Sequence, residues 1–125
     1  MNRRIIFRGK DIHNGEWIYG DLVHVHGYIA IKKLKGYFLQ PTLVHENTVG
    51  QYISLQDKNG DMIFEGDIIE SDGNRHIIKY DEKSASFRAV LTTDKNYSCA
   101  IDQQWINECE KVIIGNIIDT PELTI

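Results

Sequence analysis

The chain has 125 residues, a length that suits one domain or two very small ones sharing a core. Hydrophobic residues make up 42% and charged residues 26%, ordinary globular values, so a core can form without disulfides or a structural metal. The net charge of −4 is unevenly spread: residues 1–60 hold 8 Lys+Arg against 5 Asp+Glu, and residues 61–125 hold 6 against 13. Solvated surfaces of unlike sign explain this, as does a nucleic-acid surface or association through unlike patches. No apolar run reaches the roughly 18 residues that a membrane-spanning helix needs. The start, Arg3-Arg4-Ile5-Ile6-Phe7-Arg8, has only a short apolar stretch, where a secretory signal carries about 7–15 such residues. A cytoplasmic protein without a membrane partner is expected. Cys99 and Cys109 form neither a C-x-x-C nor a disulfide framework, so two reduced thiols are expected.

In chain order, short apolar runs alternate with turn signals, and isoleucine outnumbers leucine. Both features favour strands. Residues 3–8 predict a strand and Asn14-Gly15 a tight turn. From Trp17 to His26 the residues divide by period two. Trp17, Tyr19, Val23 and Val25 take one face, and Ile18, Leu22, His24 and His26 the other. Gly27 interrupts, Tyr28-Ile29-Ala30-Ile31 resumes, and residues 17–33 predict a hairpin. Lys32, Lys33 and Lys35 form a basic tip, and Pro41 ends the next apolar stretch.

Thr48 to Leu55 reads as a strand, Asp57-Lys58-Asn59-Gly60-Asp61 as a turn, and Met62-Ile63-Phe64 as its continuation. Gly66-Asp67-Ile68-Ile69 follows, then the turn Asp72-Gly73-Asn74, then His76 to Tyr80. Ser84 to Leu91 places Phe87, Ala89 and Leu91 on one face, and Asp94 to Asn96 is turn-like. Asp102 to Glu108 is the one helix expected, with Asp102 as N-cap and Trp105 as its anchor. Val112 to Ile118 closes the chain as a strand interrupted by Gly115-Asn116.

Two stretches carry a resemblance: Val49 to Ile69, built around Gln51-Tyr52 and Asp57-Lys58-Asn59-Gly60-Asp61 and ending Glu65-Gly66-Asp67-Ile68-Ile69, and Val112 to Leu123, with Ile114-Gly115-Asn116-Ile117. Together with Phe7-Arg8-Gly9-Lys10 and Gly15-Glu16-Trp17 they resemble the YopX family of phage and prophage proteins. Ser54 stands where that family has glycine, and Ile118-Asp119-Thr120 where it has Tyr-Glu-Asn. The resemblance implies an all-β fold whose C-terminal half is similar to a small SH3-like barrel. It implies a bacterial host cell and no known enzymatic activity, so it transfers no catalytic residues. The expected organisation is an N-terminal hairpin region over residues 1–58 and a barrel region over residues 59–125, in one unit.

Candidate chemistry is sparse. Asp57, Asn59 and Asp61 open like a calcium-binding loop, but the required Gly and Glu positions hold Met62 and Ile68. Glu65, Asp67 and Glu70 lie near Asp57 and Asp61 in sequence, but on alternating strands these side chains are expected to point to different faces, against a paired-acid site. Asp67 is expected to bond backbone at the turn. His24 and His26 share a face, but zinc needs three or four ligands and His13, His45 and His76 are distant in sequence. No metal, cofactor or catalytic group is assigned. The basic residues Arg3, Arg4, Arg8, Lys32, Lys33 and Lys35, with aromatics nearby, are the candidate nucleic-acid-binding set. The leading expectation is a non-enzymatic, self-associating phage accessory module that binds a phage or host protein. Nucleic-acid binding is the alternative.

Overall fold

The computed structural model describes residues 2–34 and 40–125; of the basic tip, Lys35 lies outside the described residues. The chain divides into two compact units, Met1–Tyr52 and Ile53–Ile125. Both are built of antiparallel strands, as the composition led one to expect. No helix of the described residues is long and apolar enough to cross a membrane.

In the first unit, β1 (Phe7–Lys10) pairs with β2 (Trp17–Val25), and β2 with β3 (Tyr28–Lys33). The short β4 (Thr42–Leu43) lies beyond β3. On the other side of β1 comes the start of β5 (Gly50–Gln56). The expected 17–33 hairpin forms with a two-residue turn in which His26 and Gly27 both have positive φ, 48° and 83°. Such turns match the right-handed twist of the strands they join. His26 therefore leaves the strand face on which period two had placed it beside His24.

Two further expectations are corrected. The strand begins at Phe7 and not at residue 3; just ahead of it, the carbonyl of the buried Ile6 accepts the Tyr52 N–H. Thr48 belongs to a 3-10 turn over Glu46–Thr48; its hydroxyl donates to the His45 carbonyl and accepts the Lys10 N–H at 2.8 Å. Ile18, Ile31 and Val44 make the core, with Phe7, Leu22, Ile29 and Val49 packed against them. Each buried branched side chain contributes about 2 kcal/mol.

The second unit takes up β5 after Tyr52. There Ser54 has φ 69°, the left-handed region that favours glycine. After β6 (Met62–Phe64), strands β7 (Asp67–Ser71), β8 (Asn74–Asp81), β9 (Ser86–Leu91), β10 (Ser98–Ala100) and β11 (Val112–Asn116) form a sheet in the order β10-β9-β8-β7-β11. Among the described residues no sheet closes on itself; the sheet of the C-terminal half is open, with β10 and β11 as its edges. Helix α1 (Gln103–Asn107) starts at Asp102, whose carboxylate accepts the Trp105 N–H at 2.8 Å. The core comprises Ile63, Ile69, Ile78, Ala89 and Ile106, with Ile53, Leu55, Trp105 and Ile113 against it.

Asp57 is 5% exposed and holds the edge strand β11 to the turn after β5. Its Oδ1 accepts the N–H groups of Asn59 and Asp61, each at 2.9 Å, and its Oδ2 accepts the Ile113 N–H at 3.0 Å. Beside it, the Lys58 N–H donates to the Lys111 carbonyl. Asp67 is equally engaged: its Oδ2 accepts the buried Phe64 N–H at 2.7 Å, the backbone role its position suggested.

Two stability changes follow. Replacing Asp57 by Ala leaves three amides without their acceptor, and the urea unfolding free energy is expected to fall by about 3 kcal/mol. Ser54→Gly relieves a left-handed side-chain conformation, which outweighs the extra freedom of the unfolded chain. It is expected to raise the unfolding free energy by about 0.5–1 kcal/mol, read as a higher melting temperature. A lower melting temperature for Ser54→Gly contradicts the strain argument.

Candidate functional site

The second unit carries a cavity of about 600 Å³ between the β7–β8 hairpin and the segment that leads from α1 into β11. The hairpin turn, Asp72-Gly73, has both residues at positive φ (50° and 79°) and sets Ser71, Asn74 and His76 along one wall. The Asp102 cap orients the first turn of α1 and brings Trp105 to the opposite wall, where its ring meets the His76 ring edge-on at 5.3 Å. Two successive left-handed residues, Cys109 (φ 57°) and Glu110 (φ 51°), then reverse the chain and direct it into β11. Cys109 and Lys111 are thereby delivered to the cavity, which Leu91, Tyr97 and Cys99 complete.

Lys111 is the unusual member. Only 7% of it is exposed. Its Nζ donates to the carbonyls of Trp105 and Glu108, both at 2.9 Å, and lies 4.3 Å from the centroid of the Trp105 ring. These are favourable partial charges for a cation, those of a helix end and of an aromatic face. None is a full negative charge, and among the described residues no carboxylate comes within ion-pair distance of Lys111.

Three neighbouring groups, His76, Cys99 and Cys109, are shifted toward their neutral forms. Burial, and then the Lys111 cation, lower the His76 pKa below its ordinary value. Burial raises the Cys99 thiol. The hydrogen bond with Asp72, followed by the Asp72 charge, raises the Cys109 thiol. Reactive cysteines need the opposite shift, because the thiolate is the nucleophile. The arrangement suits binding: one buried cation, a neutral imidazole, the polar ends of Ser71 and Asn74, and apolar walls from Trp105 and Leu91.

Of the residues proposed from sequence for nucleic-acid contact, the described ones sit on different parts of the first unit's chain, and Lys35 lies outside the described residues. Arg3 and Arg4 are exposed ahead of β1. Arg8 is 7% exposed, with its guanidinium 4.6 Å from the Trp17 ring centroid; Lys10 approaches the same ring at 4.7 Å. Lys32 and Lys33 are successive on β3, opposite Asp21 and Gly20, and so face different sides of the sheet. Glu70 pairs with Arg75 at 2.7 Å. Among the described residues no group of three or more His, Cys, Asp or Glu is arranged to hold a metal. Sequence reasoning missed the cavity altogether. The helix cap and Trp105 were readable, but nothing in the spacing of Lys111 announces that its ammonium is buried.

The family model for the YopX protein matches residues 6–124. No curated protein matches the chain. The crystal structure of protein EF1440 from Enterococcus faecalis is similar, with a TM-score of 0.66 and 22% sequence identity over 99% of this chain and 100% of that one. At that identity the likeness establishes a shared fold. The residue pattern and the nearly full-length match agree, and the chain belongs to the YopX family.

Proposed function

We propose that this protein is a phage- or prophage-encoded accessory protein of the host cytoplasm, a non-enzymatic module that binds protein and associates with itself. The observation that carries this reading is the opposite charge of the two units. Residues 1–52 hold 7 Lys+Arg against 4 Asp+Glu, and residues 53–125 hold 7 against 14. Unlike surfaces on one chain attract their counterparts on another copy. Exposed aromatics support it: Tyr80 (47% exposed) leans on Phe87, and Tyr97 is 54% exposed. Tyrosine is enriched where proteins meet. The thiols of the cavity, raised away from the reactive form, speak for binding over catalysis.

Light scattering at high micromolar concentration and low salt is expected to give a mass above that of the 14.4 kDa monomer, falling toward it as salt is added. A monomer under the low-salt condition removes self-association from the reading.

The stacking of Arg8 and Lys10 on Trp17 favours a second reading, contact with nucleic acid by the first unit. It predicts salt-dependent binding of a labelled single-stranded oligonucleotide, abolished when Lys32, Lys33 and Lys35 are changed to Glu. Undetectable binding of DNA and RNA at low salt eliminates it.

A further inference from the structure

We propose that the cavity between the β7–β8 hairpin and the α1–β11 segment is a binding site for a small organic monocarboxylate, whose charged end meets Lys111 and whose apolar body lies against Trp105. This goes beyond the protein-binding reading and stands independently of it.

Three observations converge. The first is the size of the cavity, about 600 Å³, within the range of sites that enclose small molecules. The second is Lys111, 93% removed from solvent yet lacking a carboxylate partner. A buried cation whose neighbours are carbonyls and a ring face gains most from a full negative charge, because the low local dielectric strengthens that pairing. Its Nζ has three N–H groups, and two are taken by the Trp105 and Glu108 carbonyls. The third observation is the lining. His76, Asn74 and Ser71 can each donate to an acceptor in the cavity, while Trp105 and Leu91 supply apolar contact.

The surrounding charge narrows the ligand. The second unit carries 14 Asp+Glu against 7 Lys+Arg, and Asp72 stands at the cavity. A single buried ammonium balances one negative charge, whereas a phosphate dianion adds repulsion from Asp72 and from the unit as a whole. An apolar monoanion fits better than a phosphate, a sugar phosphate or a polyanion.

The test uses the full chain, labelled with nitrogen-15, and follows amide and indole signals during titration at low salt. The probes are benzoate, its neutral isostere benzamide, and inorganic phosphate. Benzoate is expected to shift the signals of His76, Trp105 and Lys111 saturably, with benzamide weaker by at least about tenfold. Phosphate is expected to be weaker than benzoate. Leu91→Trp fills the cavity while leaving Lys111 in the chain and is expected to abolish the benzoate shifts while the melting temperature is kept. Lys111→Met should do the same; if it does not fold, the Leu91→Trp and benzamide comparisons decide. Equal binding of benzoate and benzamide overturns the proposal. So does the lack of saturable shifts up to about 10 mM benzoate. Phosphate binding as tightly as benzoate overturns the choice of a monocarboxylate.

Discussion

One buried carboxylate organises the second unit. Asp57 closes its own turn through the amides of Asn59 and Asp61, and with its other oxygen it fixes the amide of Ile113, 56 positions later in the chain. A local turn and a long-range edge contact thus share one side chain. Hydrogen bonds to an ionised acceptor are about twice as strong as neutral ones, and three of them justify keeping a carboxylate away from water. The same register sets the position of Lys111, since the Lys58 N–H holds the Lys111 carbonyl two residues before Ile113. The cavity is in this sense a product of the turn.

The site itself is assembled from pieces of little value alone. A five-residue helix is too short to stand unaided, and its stability comes from the Asp102 cap and the burial of Ile106. Trp105 then makes two contacts, a T-shaped one with the His76 ring and one with the Lys111 ammonium over its ring. Two left-handed residues in succession, Cys109 and Glu110, are an uncommon choice for non-glycine positions. Strain of this kind persists where surrounding structure fixes it, and here it turns the chain so that Lys111 points inward.

Much of the strand architecture was legible. The turns at Asn59-Gly60 and Asp72-Gly73 follow from the positive φ that Gly60 and Gly73 supply, and the alternation of Phe87, Ala89 and Leu91 follows from the pleat, whereas period two alone left His26 on a strand face. The family pattern has glycine where Ser54 stands, in keeping with the left-handed φ found there. Other features depend on tertiary structure that no window of residues carries. The strand Ser98–Ala100 is only three residues long, and it exists because β9 offers a partner. The order of strands beyond a hairpin is likewise decided by distant pairings such as β7 with β11. The burial of Lys111 arises from a chain reversal that Cys109 and Glu110 give no sequence signal for.

The edge of β11 has a consequence for how copies of this chain can meet. The Ile113 amide is taken by Asp57, the Asn116 amide by the Thr120 hydroxyl, and the Lys111 carbonyl by Lys58. A strand from another molecule arriving there finds these three groups already engaged, which disfavours sheet extension along this flank and the fibrous growth it would seed. Contact between molecules is thereby steered toward side-chain surfaces, where charge and aromatic shape can discriminate one partner from another.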